Sequence, residues 1–559
     1  MERYAIGLDF GTLSGRCLLL NAVTGEEVAT SVVPYKHGVM DQELPDGTKL
    51  KMDYALQDPK DYIDVLSISI HDVLRQARIN PEQIIGVGVD VTGCTPIPLD
   101  HNGIPLCFTE KYANRPHAYI KLWKHHAAQA QADRINLVAK KRCEPFLNRY
   151  GGRISCEWLF PKLLQIYEED REVYNQIGCF LEVTDWITYL LTGVMVRNTS
   201  GLGWKGIWDE KVGFPSEEFF EELSPGFGSV VKEKIKGKIQ QIGTKAGEIT
   251  PEAAKLTGLK VGTAVAVGNF DAAGAATGSR VITPGVMLAL IGTSTCHMLL
   301  GYKVVDNIPG ICGVVKNGMI PNTISYEAGQ NSVGDLFDWF VKGFVPASYF
   351  ENAKNKGVSI HNYLSMLSFV KKPGENGLLA LDWLTGNRSI LVNGKLSCMI
   401  LGSNVLTRPE DVYRALLEST AFGTRVIIEN FREHGISVES FIAAGGIPNK
   451  NPIMMQIYAD ILRMDIKISG SMQNCALSSA IWGVLAAGEE KSGYKTLDEA
   501  VIHLSNLNDK IYHPNKENYN AYNFLYSEYL KLHNYFGRGE NDVMIHLKKF
   551  ADEQKTDNQ

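Results

Sequence analysis

The stretch AIGLDFGTLSGRCLLLN, residues 5–21, sets a Gly-Thr-x-Ser-Gly loop between two apolar runs. The segment after the loop constrains the fold. In P-loop and Rossmann sites the phosphate loop leads from a strand into a helix, whose amino terminus faces the anion. Here the next segment, RCLLLN, is β-like, so the unit reads as a hairpin whose backbone N–H groups and Thr12 and Ser14 hydroxyls face phosphate oxygens. The chain has no G-x-x-x-x-G-K-[ST], which argues against a P-loop. The same layout returns in GVMLALIGTSTCHMLL, residues 285–300. Two such units imply duplicated domains, one over 1–280 and one over 281–559, divided near TGSRVITPGV where Pro284-Gly285 punctuates the pattern.

A chain of 559 residues is too long for one compact core, which agrees with two domains. Strands alternate with amphipathic helices, the signature of α/β architecture. In DPKDYIDVLSISIHDVLRQ, Asp58 caps, Pro59 suits the first turn, and Tyr62, Leu66, Ile70, Val73 and Leu74 share one face. IIGVGVDV, 84–91, is then a buried strand. Late in the chain PEDVYRALLESTAFGTRVIIENFREHG reads as a long helix and SFIAAGG as the strand after it. A net charge of −6 argues against general attraction to nucleic acid or anionic lipid. The ten cysteines form no C-x-x-C pair and suit free thiols in a reducing compartment. The amino terminus enters a strand pattern at once, without the layout of a signal peptide, and no apolar run approaches the roughly 18 residues of a membrane span. The expectation is a cytoplasmic protein, fraying in its polar residues from about 537 onward.

Some motifs point elsewhere and are set aside. GLGWKG matches G-x-G-x-x-G at Gly201, Gly203 and Gly206, but no convincing strand precedes it, and Trp204 and Lys205 stand where a pyrophosphate needs bare backbone. The glycines of GVG, 86–88, read as close strand–helix packing. His125 and His126 lie on YIKLWKHH, read as helical, where adjacent positions diverge by roughly 100° and no third metal ligand is evident.

Two glycine-rich hairpins, Asp9 at the end of the first strand and the later loop AAGGIPNKNPIMMQ together resemble the actin, heat-shock ATPase and sugar-kinase superfamily. The resemblance implies an α/β fold of two ribonuclease H-like (actin/hexokinase) domains with a nucleotide cleft between them. It implies ATP held by Gly11, Thr12, Ser14 and Arg16 on one side and by Gly292, Thr293 and Ser294 on the other. Gly445 and Gly446 would lie at the adenosine, with Asn449 or Asn451 near base or ribose. TAVAVGNFDAAGAATG resembles the general-base element of FGGY carbohydrate kinases. Further stretches resemble that family as a whole, YIKLWKHHAAQ, NRYGGRISCEW, SGLGWKGIWDEK, IGTSTCHMLLG, YEAGQNSVGDLFDWF and LLALDWLTGNRS, and they run through both halves.

The family resemblance implies that Asp271 is the base, that Mg2+ sits near Asp9 and Asp271, and that Gly93, Trp123, Lys205, Asp271 and Glu327 contact a sugar. Phosphoryl transfer has a loose transition state, so a weak carboxylate base oriented at a helix amino terminus suffices. The implied reaction is ATP-dependent phosphorylation of L-ribulose at its 5-hydroxyl. Xylulose, or another pentulose or pentitol, is the near alternative, and an actin-like or chaperone ATPase the distant one. The implied partners are sugar and ATP, with a homodimer allowed and neither nucleic acid nor membrane.

Overall fold

The computed structural model describes residues 2–556. It contains two compact α/β units. The first comprises the chain up to Ile282 with Val314–Ser325 and Gln473–Asn506; the second comprises Thr283–Gly313, Tyr326–Met472 and the chain from Leu507. Residues 473–506 return to the first unit, so neither unit is one continuous stretch of chain.

The first unit is built on a seven-stranded sheet in the order Lys245–Glu248, Ala264–Ala266, Ile84–Val91, Tyr4–Phe10, Ser14–Asn21, Glu27–Pro34, with Asn269–Phe270 also paired to Ile84–Val91. The opening strand and RCLLLN form an antiparallel hairpin, Tyr4 opposite Asn21 and Phe10 opposite Gly15. Side chains of the opening strand alternate between two cores. Tyr4, Ile6, Leu8 and Phe10 pack with Tyr62, Leu66, Ile70 and Val73. Those four come from helix Pro59–Ala77, whose first turn is capped by Asp58 accepting from the Lys60 N–H. On the opposite face Ala5, Leu18 and Leu20 pack with Ala476, Ala480, Ile481 and Val484 of helix Asn474–Ala486.

That second helix lies almost directly on the strand backbones. A Cβ on Gly7 would come 1.7 Å from the Ala476 carbonyl oxygen, one on Gly86 1.9 Å from that of Gly483, and one on Gly88 1.9 Å from that of Ser479. The helix contributes small residues of its own, so the surfaces meet with almost no side chain between them. The 86–88 glycines thus serve strand–helix packing, as the sequence suggests.

The second unit repeats the plan. Its strands run Ile324–Gln330, Thr295–Gly301, Val286–Ile291, Ser440–Ala444, Ile466–Ser469 and Leu507–Tyr512. Again an antiparallel hairpin is followed by two parallel neighbours and an antiparallel edge strand. The long helix Pro409–Glu433 and the strand Ser440–Ala444 fall where the sequence puts them.

Three local expectations fail. Only Ile120–Lys121 of YIKLWKHH is regular, as a short strand paired with Leu56–Gln57, and the chain then turns. Backbone pairing there overrides the apolar spacing that suggests a helix. A three-residue strand, Val196–Asn198, does precede GLGWKG, too short to show as a pattern. The polar carboxy-terminal stretch forms helix Val543–Thr556, where Met544 buries and Lys548 donates to the carbonyls of Gly394 and Leu396. All ten cysteines are free thiols. Among the described residues no helix is long and apolar enough to cross a membrane.

Gly88→Ala should lower stability by about 1–3 kcal/mol or more, since backbone must move to admit the methyl group. Gly343→Ala, with no atom within 4 Å of the new Cβ, should be neutral or stabilising by up to about 1 kcal/mol. Urea unfolding of both variants separates the two outcomes.

Acid should destabilise the first unit through its buried histidines. The Ala55 N–H donates to His125 Nδ1 and the other ring nitrogen faces Gln165 Oε1 at 2.9 Å, so the neutral Nε2–H form satisfies both contacts. Burial, with the Lys121 charge, holds His125 well below the ordinary histidine range, and burial brings His117 down to about 4. Such groups bind fewer protons folded than unfolded. Their contribution is therefore complete above about pH 6.5 and declines as pH falls toward 4, at up to about 1.4 kcal/mol per pH unit for each histidine. Thermal unfolding between pH 7.5 and 5 should show a falling Tm, and His125→Gln should flatten the slope.

Candidate active site

Strand register gathers the carboxylates of the first unit. Asp9 lies opposite Arg16 on one side and Asp90 on the other, and Asp90 in turn lies opposite Asn269. Arg16 Nη1 donates to Asp9 Oδ2 at 2.9 Å, so this arginine makes an ion pair within the first hairpin. Sequence reasoning misses Asp90, although a signal is present: GLDF, 7–10, and GVDV, 88–91, are the same pattern on two parallel strands, aligned glycine to glycine and aspartate to aspartate.

Helix Asn474–Ala486 completes this corner. Ser479 Oγ donates to Asp90 Oδ2 at 2.6 Å, while Asp90 Oδ1 has no hydrogen-bond partner among the described residues. Burial pushes the Asp90 carboxyl well above the usual range, and the charges of Asp9 and Asp271 add to it. The Cys475 thiol is raised by burial and by the same three carboxylates, and lies 3.5 Å from the Asp271 carbonyl oxygen. Ligand atoms of Asp9, Asp90 and Cys475 lie within 4.8 Å of one another. A neutral thiol is a poor partner for Mg2+, which takes oxygen ligands and keeps several waters. The corner therefore suits a hydrated hard cation beside carboxylate oxygens better than a closed cage.

Asp271 opens helix Asp271–Gly278 straight after strand Asn269–Phe270, and its Oδ1 accepts from the Ala272 N–H at 2.7 Å. The small residues of this helix let it lie against Asn474–Ala486: a Cβ on Gly278 would come 2.5 Å from the Asn474 carbonyl oxygen, and the Gly278 N–H donates to Ser478 Oγ. Asp271 is therefore half-buried at a helix amino terminus, held from behind by tight packing.

In the first hairpin the Gly11 N–H donates to the Ser14 carbonyl at 3.0 Å. Trp123 is half-buried, and its Nε1 donates to Thr12 Oγ1 at 3.0 Å. The Gly93 Cα faces the Phe270 ring, where a Cβ would come within 2.3 Å. Lys205 ends helix Thr199–Lys205; it is 9% exposed, with its Nζ 5.6 Å from the Trp158 ring centre. The glycines of GLGWKG are spent on packing, Gly203 against Val315. Trp204 is buried and donates to the Gly318 carbonyl. His125 and His126 are engaged with Gln165 and Glu157 rather than with each other.

In the second unit Gly292 and Thr293 are exposed at the hairpin turn, with Ser294 half-buried. The carbonyls of Gly292 and Thr293 accept from Gly334 and Val333 where helix Gly334–Phe344 begins. Gly445 has φ +105°, and a Cβ there would come 2.7 Å from the Ile291 carbonyl oxygen, so the AAGG loop abuts the end of the hairpin strand. Gly446 has no atom within 4 Å of its notional Cβ. Asn449 donates to the Gly445 carbonyl and accepts from Asn508. Asn451 is 6% exposed, caps helix Pro452–Leu462 by accepting from the Met454 N–H, and donates to Ser365 Oγ. Its amide oxygen and nitrogen each have a partner within the fold. Glu327 is buried and paired with Arg388, whose Nε also donates to Cys312 Sγ at 3.2 Å. Nothing near Glu327 in sequence announces that arginine.

The chain belongs to the FGGY family of carbohydrate kinases: residues 4–278 match the family's N-terminal domain and 287–487 its C-terminal domain. It is 51% identical over 543 residues to a ribulokinase of Bacillus licheniformis, covering 97% of this chain and 98% of that protein. It is 48% identical to a ribulokinase of Anoxybacillus flavithermus, covering 99% and 98%. Among solved structures, a gluconate kinase from Lactobacillus acidophilus aligns with a TM-score of 0.78 at 19% identity over 96% of this chain and 99% of that one. A ligand-bound xylulose kinase from the same organism aligns with a TM-score of 0.77, also at 19%, over 95% and 98%. These structures share the fold of two ribonuclease H-like domains.

Asn451→Ala should cost about 1–2 kcal/mol through loss of the cap and of a buried hydrogen bond. Differential scanning calorimetry should show that loss with nucleotide affinity unchanged within about twofold.

Proposed function

We propose that this kinase transfers the γ-phosphoryl group of ATP to the 5-hydroxyl of L-ribulose. The observation that carries the reading is the 51% identity, across nearly the whole chain, to a protein named ribulokinase. The likeness to xylulose and gluconate kinases at 19% speaks to fold alone.

In this reading Gly11, Thr12 and Ser14 of the first unit and Gly292, Thr293 and Ser294 of the second present backbone N–H groups and hydroxyls to the phosphates. Gly445, Gly446 and Asn449 take the adenosine side, and Asn451 holds the helix behind them. Arg16 stands in part for the lysine that a P-loop would supply, with its charge balanced by Asp9. Asp9, with Asp271, would hold Mg2+ through water; when bound, the ion neutralises charge on the phosphate oxygens.

Asp271 orients the sugar hydroxyl and accepts its proton as the bond to phosphorus forms. The hydroxyl oxygen gains the phosphoryl group, and ADP leaves with the electrons of the broken P–O bond. The positive end of the helix dipole lies at this carboxylate. A loose transition state develops little charge on the attacking oxygen, so positioning matters more than basicity. Lys205 and Glu327 bind sugar hydroxyls, Trp123 offers a face to C–H groups, and Gly93 lets the sugar approach the backbone.

ADP release coupled to a panel of ketopentoses and pentitols should be fastest with L-ribulose. Equal rates across the panel would defeat the substrate assignment. Asp271→Ala should lower kcat by roughly 10²–10⁴-fold while ATP affinity stays near that of the parent; near-parental turnover in the purified variant would remove Asp271 as the base.

A further inference from the structure

Behind the residues assigned to the sugar lies a pair of buried charges that the reaction does not use. Lys162, on helix Leu159–Glu169, is fully buried. Its Nζ donates to the carbonyls of Cys94 at 2.8 Å and Leu122 at 2.9 Å, with that of Lys121 at 3.5 Å. Glu182, at the end of strand Cys179–Glu182, is 3% exposed. Its Oε1 accepts from the Cys94 thiol at 2.7 Å and its Oε2 from the Thr95 N–H at 2.9 Å. The segment Gly93–Cys94–Thr95 is thus gripped from two sides, its carbonyl by an ammonium and its N–H by a carboxylate.

Lys162 also holds a second segment. Leu122 immediately precedes Trp123, whose indole N–H donates to Thr12 in the first hairpin. One ammonium therefore sets the spacing between the strand-end turn carrying Gly93 and the turn carrying Trp123. Neither segment has regular structure of its own at these residues, so local propensity does not fix them. Burial pushes the lysine down and the glutamate up, and each charge opposes the shift of the other. Sinking two charges in an apolar interior is costly, and an apolar pair of similar volume often stabilises a fold as well or better. Stability alone is thus a poor account of this clamp; fixing one geometry of the two segments is a better one.

We propose that Lys162 and Glu182 are positioning residues for sugar recognition, holding the Gly93 and Trp123 segments at the separation a ketopentose requires. The inference rests on the proposed sugar contacts. Steady-state kinetics with L-ribulose and ATP on the full chain test it, using K162M, E182Q and K162R beside a K205A reference. K162M should raise the KM for L-ribulose tenfold or more while the KM for ATP stays within twofold. K162R, which keeps charge and donors, should recover part of that loss. E182Q, which keeps an acceptor for Thr95, should raise the sugar KM by about threefold, and it carries the test if K162M does not fold.

Unchanged sugar KM in the folded variants, with only Tm altered, would overturn the positioning role. Equal rises in both KM values would do the same, since they mark general disruption. Wild-type chain inactive on every ketopentose, or K205A indistinguishable from wild type, would instead overturn the sugar-site reading on which the inference rests.

Discussion

The first unit depends on the close approach of helix Asn474–Ala486 to the backbones of two central strands. Gly7, Gly86 and Gly88 leave no Cβ between helix and sheet, and the helix answers with Ala476, Ser479 and Gly483. Side chains on that face of the sheet lie on alternate residues, so Asp9 and Asp90 emerge just beyond the last glycines, toward the start of the helix. Contact at the glycines therefore brings Ser479 to Asp90 and Cys475 to both carboxylates. The same helix supports Asp271–Gly278 from behind. Packing and chemistry at this corner are one arrangement, and a methylene added to the interface would disturb both.

The second unit reaches the same strand plan with a different use of its glycines. Gly445 turns the chain against Ile291 at φ +105°, opening the AAGG loop beside the second hairpin. Exposed turn backbone at Gly292 and Gly446 is what a phosphate or nucleotide can approach; buried glycine, as at Gly88, is what a helix can approach. Glycine content alone does not distinguish these uses, and GLGWKG illustrates the point. Its glycines follow a dinucleotide spacing but face Asn198, Phe270 and Val315, and the one side chain of interest there is Lys205.

Some of the buried charge holds irregular backbone. Lys162 and Glu182 grip the Gly93 turn. In regular strands the ladder fixes backbone position, and such devices are unnecessary. At turns, carbonyl and N–H groups need other partners, and ionised side chains supply hydrogen bonds stronger than neutral ones. That need accounts for the charged groups behind the Gly93 and Trp123 segments.

Much of this is readable along the chain. The first glycine-rich loop forms a hairpin and not a strand–helix turn because RCLLLN has β character, and the helices Pro59–Ala77 and Pro409–Glu433 follow from apolar spacing with caps. Asp9 and Asp271 can be singled out because motif and local element coincide, and Glu327 only through the family resemblance. Asp90 carries a signal in the repeated G-x-D pattern of the two strands, but Ser479, Lys162 and Arg388 carry none, since their partners lie far away in sequence, 389 residues apart for Ser479 and Asp90. Apolar spacing puts Trp123 on a helix, yet two residues of strand pairing outweigh that periodicity, and Asn451 becomes a cap because Met454 and Ser365 fold around it. Sequence determines what is local, the alternation of faces, the turns and the caps. Tertiary structure decides which charges meet and which glycines are covered, because register between distant strands and the seating of a returning helix are properties of the packed chain and not of any segment within it.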